Sequence, residues 1–252
     1  MQQALHEFHI SLSDEQLDQL LTFYELLVEK NKVMNLTAIT EFEEVVFKHF
    51  LDSLAICKVA FDQGISPFQT EEANSSQTGK KVRLIDVGCG AGFPGMVIAI
   101  AYPGVQVTLL DSLQKRVGFL QDVIEKLAIA NCSAVHFRAE EAARMKEYRD
   151  SFDYAVSRAV ANLSTLSEYC LPYVKPGGYF IAYKSEKIRQ EAPAAQKAIK
   201  LLGGKFASET EFYLPEGFEQ GSSYRNLYVI QKTGPTPSKY PRKAPLPAKQ
   251  PL

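Results

Sequence analysis

The stretch Val82-Arg83-Leu84-Ile85-Asp86-Val87-Gly88-Cys89-Gly90-Ala91-Gly92-Phe93-Pro94-Gly95 runs a buried-strand pattern straight into a glycine-rich turn. Val82, Leu84, Ile85 and Val87 suit a parallel strand. Gly88, Gly90 and Gly92 let the backbone turn tightly and approach a ligand with no Cβ in the way. Asp86 bears on which ligand that is. A carboxylate at the strand's C-terminal edge repels a pyrophosphate and attracts an ammonium or a sulfonium, and S-adenosylmethionine carries both cations. Gly90, Gly92 and Gly95 also satisfy the GxGxxG spacing of a dinucleotide fingerprint. Two details count against that match: Asp86 precedes the turn, and Phe93-Pro94 fill the place where a pyrophosphate needs open N–H groups, which proline lacks.

A second apolar run, Val105, Val107, Leu109 and Leu110, ends at Asp111, where the acid of a Rossmann-type fold bonds ribose hydroxyls. Asp111 or Ser112 serves equally well as a helix cap. Leu113, Val117, Leu120, Val123, Ile124 and Leu127 then recur at helical spacing.

Upstream, Ser13 and Gln16 have the spacing of a capping box, and Leu17, Leu20, Leu21, Tyr24, Leu27 and Val28 form an apolar stripe behind it. A turn around Asn35-Leu36-Thr37 precedes a helical segment with Val45, Val46, Phe50, Leu51 and Leu54. These patterns divide the chain into a helical appendage over 1–65, an exposed linker over 66–80, a catalytic domain over 81–232 and a basic, proline-rich tail over 233–252. Strands are expected near Ala134–Phe137, Tyr154–Ser157, Tyr179–Tyr183, Lys205–Tyr213 and Arg225–Gln231. The last two, joined around Leu214-Pro215-Glu216-Gly217, lack an intervening helix and imply an antiparallel edge. The fold class is therefore α/β: a Rossmann-like, seven-stranded class I S-adenosylmethionine-dependent methyltransferase with an N-terminal helical appendage.

No apolar run reaches the ~18 residues that span a bilayer, and the N-terminus lacks a secretory pattern, so a cytoplasmic protein with no membrane partner is expected. Cys57, Cys89, Cys132 and Cys170 have no metal-ligand spacing, which points to reduced, structural thiols and no metal. The formal net charge of −1 gives no global argument for a polyanionic partner. Lys239, Arg242, Lys243 and Lys249, however, lie in a tail without acids. That tail reads either as a solvated end or as a flexible phosphate clamp.

Several stretches together resemble the bacterial glucose-inhibited division protein B family, guanine-N7 methyltransferases of small-subunit ribosomal RNA. They are Lys32-Val33-Met34-Asn35-Leu36-Thr37, His49-Phe50-Leu51-Asp52-Ser53-Leu54, Gly92-Phe93-Pro94-Gly95, Leu110-Asp111-Ser112 with Lys115-Arg116, Arg138-Ala139-Glu140 and Ser157-Arg158-Ala159, and the resemblance extends to Tyr240-Pro241-Arg242-Lys243. Ser185 after Lys184, and Leu246 in the tail, depart from the family's pattern. The resemblance implies S-adenosylmethionine as cofactor and 16S rRNA or the small ribosomal subunit as partner. It places Gly88, Phe93, Ala139, Glu140 and Arg158 at the donor site, beside Asp86, Gly90, Asp111 and Ser112. Arg158 holds the donor's carboxylate, orients the target, or pairs with an acid such as Glu140; these alternatives stay open.

Guanine N7 carries an in-plane lone pair and no hydrogen, so its methylation needs positioning instead of a general base, and no catalytic residue is assigned beyond a positioning role for Arg158. RNA contacts are expected from Lys32, Lys48, Arg158, Lys184, Arg225, Arg242 and Lys243, in a protein expected to be a monomer. His49, Asp52 and Asn35 mark the appendage as substrate-facing or as internally capped and paired. Two other functions remain: an NAD-dependent oxidoreductase using the same glycine loop, and a non-catalytic RNA-binding protein on this fold.

Overall fold

The computed structural model describes residues 5, 10–63, 82–215 and 221–252. The expected linker and the tip of the last hairpin lie outside them. Seven strands form one sheet: β1 (Val82–Val87), β2 (Val105–Asp111), β3 (Cys132–His136), β4 (Phe152–Arg158), β5 (Val174–Lys184), β6 (Gly204–Pro215) and β7 (Ser222–Lys232). Their order is β3-β2-β1-β4-β5-β7-β6. Strands β1 to β5 are parallel, whereas β7 inserts antiparallel between β5 and β6. The antiparallel ending was expected, and its cause is chain length. Only residues 216–221 separate β6 from β7, too few for a crossover, so only a reversal brings β7 back against β5.

Alternate side chains of each strand feed two cores, as a two-residue period demands. Leu84, Val107, Leu109, Val156 and Ile181 point to one face. Ile85, Leu110, Ala155, Phe180 and Ala182 point to the other. The first face is covered by the helices Asp14–Met34, Gly95–Ala101 and Gln114–Lys126, the second by Leu163–Cys170 and Ile188–Leu201.

The appendage shares the first of these cores and is not a separate body. Its long helix starts as expected, with Ser13 Oγ accepting from Gln16 N and Gln16 Oε1 from Ser13 N. Gln16 then spends its amide on the last carbonyls of the helix Gly95–Ala101, 2.8 Å from Ile100 O and 3.1 Å from Ala101 O. The buried stripe is Leu17, Leu20, Phe23 and Leu27, while Leu21 is exposed. Phe23 displaces the expected Leu21 because its ring packs against Phe50, Phe93 and Phe119. Asn35, at φ 50°, ends the helix in the left-handed region that asparagine tolerates. The Asn31 side chain fixes the following turn by accepting from Leu36 N and Thr37 N. The expected second helical segment is present in pieces, with a π-helical stretch, Val46–Leu51, in its middle.

The tail corrects both expectations made for it. It packs against the second face, with Thr236 and Tyr240 buried. Extended, proline-rich backbone leaves carbonyls unpaired, and two arginines satisfy them. Arg149 donates to Thr236 O and Tyr240 O, and Arg144 to Lys239 O and Pro241 O. Arg242 grips the fully buried Glu168 with Nε and Nη2, at 2.9 and 2.6 Å, so it is not a free phosphate contact. Lys232, also fully buried, donates to Leu171 O, Val174 O and Thr236 Oγ1 and locks the start of the tail to the end of β7.

The four cysteines are free, and Cys89, Cys132 and Cys170 are buried. No helix among the described residues is long and apolar enough to cross a membrane.

Candidate functional site

A cavity of about 530 Å³ opens over the C-terminal ends of β1, β2 and β4. Of the expected donor-site residues, Gly88, Gly90, Phe93, Asp111, Ser112, Ala139, Glu140 and Arg158 all line it. Asp86 does not. Its carboxyl is fully buried beneath the glycine loop, where Oδ2 accepts from Gly95 N at 2.8 Å. The expected direct attraction between this acid and a bound cation is therefore corrected: Asp86 braces the loop from behind. Gly95 must be glycine for this, since a Cβ there would lie 2.4 Å from Leu109 Cδ2 and 2.8 Å from Asp86 Oδ2. Burial pushes the Asp86 carboxyl up to about 7, against the pull of the Gly95 N–H and Arg158.

Most of the loop's backbone donors are already spent. Gly88 N and Cys89 N bond Leu110 O, Gly92 N and Phe93 N bond Cys89 O, and Gly90 N bonds Asp111 Oδ2. With Gly95 N on Asp86 and Pro94 lacking an N–H, the loop has little to offer a pyrophosphate, which bears against a dinucleotide. Asp111 does not cap the helix Gln114–Lys126, whose N-cap is Leu113 with no side-chain hydrogen bond. It lines the cavity, and its Oδ1 and Oδ2 accept from Leu113 N and Gly90 N, both at 2.9 Å. Glu140, buried at 7% exposure, has no hydrogen-bond or ion-pair partner among the described residues. Facing the cavity, its carboxylate is placed to accept from a ligand hydroxyl or ammonium.

Arg158 does not pair with Glu140. At the end of β4 it reaches into the appendage, donating to Asp52 Oδ2 at 2.7 Å, to Lys48 O at 3.1 Å and to His49 Nδ1 at 3.1 Å. Asp52 Oδ1 takes a second arginine, Arg225, at 3.2 Å. His49 Nδ1 lies 3.1 Å from the Arg158 guanidinium, which only donates, and equally 3.1 Å from Lys48 O, which only accepts, while Nε2 is 2.9 Å from Thr37 Oγ1. The ring stacks on Phe93 at 4.3 Å between centroids, and the Arg158 guanidinium lies 5.2 Å from the centroid of that same ring. Burial first, and then the charge of Arg158, hold the imidazole down at about 3. The sequence marked His49 only by resemblance; its partners are brought together by the fold.

These two groups pull acid stability in opposite directions. His49 titrates at 6.5 when unfolded and about 3 when folded, so the stability it contributes is present above 6.5 and lost as pH falls toward 3. Asp86 runs from 3.8 unfolded to about 7 folded, so its contribution is present below 3.8 and lost as pH rises through 7. Between pH 6.5 and 4 the melting temperature of His49→Gln is expected to fall less than that of the unsubstituted protein, and that of Asp86→Asn more. Three parallel curves would refute both assignments.

A second cavity, of about 590 Å³, adjoins the first. His49, Arg158, Ala159 and Val160 belong to the lining of both. Of the cations expected to face RNA, Lys48, Arg158, Lys184 and Arg225 line this second cavity, joined by Lys187, which the sequence did not single out. Lys184, read as a candidate contact or a solvated lysine, is only 8% exposed in its side chain and pairs with Glu191 at 2.6 Å. Lys32 instead pairs with Glu29 on the exposed face of its helix.

The sheet order, the spent glycine loop and the acid at the end of β2 define the class I methyltransferase fold. The family model for rRNA small subunit methyltransferase G matches residues 16–213. Proteins named ribosomal RNA small subunit methyltransferase G are similar over essentially the whole length. That of Lachnoclostridium phytofermentans is 46% identical, across 99% of this chain and 95% of its own. That of Alkaliphilus oremlandii is 43% identical, across 100% and 97%. That of Lactococcus lactis subsp. cremoris is 42% identical, across 99% and 96%. The chain belongs to the rRNA small subunit methyltransferase G family, the one its motifs resemble.

Proposed function

We propose that the protein transfers a methyl group from S-adenosylmethionine to N7 of a guanosine in 16S rRNA. The observation that carries this reading is the shared wall. Two cavities, each large enough for a small molecule, meet along His49, Arg158, Ala159 and Val160, so a donor in one faces a base in the other. The second cavity is lined by five cations against two carboxylates, a balance suited to a phosphate-bearing partner. The nicotinamide reading is not favoured, because the loop's donors are largely committed.

The residues present fit the donor. Asp111 and Glu140 offer carboxylate oxygens for hydroxyl or ammonium groups, Ala139 and Phe137 leave an apolar slot for a flat base, and Gly88 lets the backbone close on the ligand. Bound there, S-adenosylmethionine supplies an electrophilic methyl group on a sulfonium. Everything else required of the chain is placement. Phe93, stacked on His49, gives an apolar and slightly negative face beside a cation. The neutral, hydrogen-bonded His49 adds no positive charge to repel the sulfonium. Arg158, held by Asp52, stands on the shared wall as a positioning residue.

The test is chemical cleavage at 7-methylguanosine in 16S rRNA from cells with and without the protein; an unchanged cleavage pattern would sink the reading. Gly88→Val provides a second check. Gly88 sits at φ +75°, where a side chain is strained, and its Cβ would come 2.7 Å from Val160 Cγ2 on the shared wall. Calorimetric titration is expected to show donor affinity falling at least about 100-fold in this variant while it remains folded. Retained affinity would move the donor elsewhere.

A further inference from the structure

We infer that Glu191, held by Lys184, is the group that reads the Watson–Crick edge of the target guanine and stabilises the charge that develops on it. The inference rests on the reading of guanine N7 as the acceptor.

Two carboxylates line the second cavity, and the structure makes them unequal. Asp52 has both oxygens committed to Arg158 and Arg225. Glu191 has one. Its Oε2 accepts from Lys184 Nζ at 2.6 Å and from Leu163 N at 2.8 Å, while Oε1 has no hydrogen bond among the described residues. The side chain is 20% exposed, enough to be reached from the cavity. Lys184 also donates to Ala161 O at 2.8 Å. The lysine and the glutamate together clasp residues 161 to 163, which continue the segment that forms the wall shared with the first cavity. Lys184 is accordingly a positioning residue: its buried ammonium, 2.6 Å from Oε2, restricts the Glu191 side chain to one rotamer.

The chemistry gives such a carboxylate a specific use. The N7 lone pair forms the new N–CH₃ bond as the carbon–sulfur bond breaks and its electron pair returns to sulfur. No proton leaves, and the purine takes on the positive charge that the sulfonium gives up. As that charge grows, N1–H and N2–H become stronger donors. An anionic acceptor on that edge therefore binds the transition state more tightly than the unreacted base. Adenine presents a lone pair at N1, which the same carboxylate repels, so one group serves both rate and selection.

The experiment measures single-turnover methylation of reconstituted small subunits that carry either guanosine or inosine at the modified position. Inosine keeps N7 and N1–H but lacks the N2 amino group. The unsubstituted protein is expected to be about tenfold slower on inosine. Glu191→Gln keeps an oxygen for Leu163 N but loses the charge; it is expected to be about 100-fold slower on guanosine, with no further loss on inosine and unchanged donor affinity. A group that only held residues 161–163 would not alter the response to inosine. Glu191→Gln at the full rate, or slowed by inosine as much as the unsubstituted protein, would overturn the inference. So would an unsubstituted protein indifferent to inosine, whatever the folding of the variant. Methylation of the subunit at a position other than guanine N7 would overturn the underlying reading, whereas N7 methylation with an unaffected Glu191→Gln overturns this inference alone.

Discussion

Deleting residues 233–252 is expected to unfold the protein, not merely to trim its grip on RNA. Glu168, with no exposure, would lose both arms of Arg242, and stranding a buried charge costs about 3–5 kcal/mol. The deletion also uncovers the site of Tyr240, removes the Pro247 carbonyl that Thr165 Oγ1 bonds at 3.0 Å, and takes Thr236 Oγ1 from Lys232. The sum is comparable with the roughly 5–15 kcal/mol that holds an ordinary domain together. Thermal melts followed by circular dichroism should show no cooperative transition, or one lowered by more than about 10 °C. A truncated chain melting like the full one would mean that the tail is merely laid on the surface.

Asp52→Ala is expected to have the next largest effect. The carboxylate is 6% exposed and lies between Arg158 and Arg225, which are 14% and 25% exposed. Removing it leaves two cations facing each other in a partly dry cleft, a loss of about 3–5 kcal/mol that should lower the melting temperature by roughly 10 °C. Methylation should fall further than stability explains, because Arg158 loses the partner that keeps it on the shared wall. Lys32→Ala is the control. Its pair with Glu29 is 64% and 74% exposed, and the substitution should change the melting temperature by less than about 2 °C. Equal effects from the two substitutions would refute the account of the cluster.

What could be read from the sequence was what short-range pattern encodes. The capping box at Ser13 and Gln16, the strand-to-glycine junction, the acid at the end of β2 and the antiparallel ending all depend on neighbours a few residues apart. What could not be read depends on partners far along the chain. Arg158 finds Asp52 across 106 residues and Arg242 finds Glu168 across 74, and no periodicity announces either pair. Asp86 shows a third kind of limit. Its position in the strand was evident, but alternation alone does not say whether the last acid before a turn faces the ligand or the core. Here Gly95 N captures it. The packing of the tail is hidden from composition, which counts prolines and cations without counting the arginines elsewhere that bind its carbonyls.

The packing of Phe23 on Phe93 and Phe119 carries a consequence for the order in which the molecule is made. The chain leaves the ribosome from its N-terminus, so Leu20, Phe23 and Leu27 emerge with only the appendage's own residues, such as Phe50, to cover them until the glycine loop and Phe119 have followed. The reaction chamber thus has a wall that is synthesised early and completed late. Until it closes, the nascent chain shows the apolar stripe of its first long helix to the surrounding water, and a folding helper has that stripe to protect.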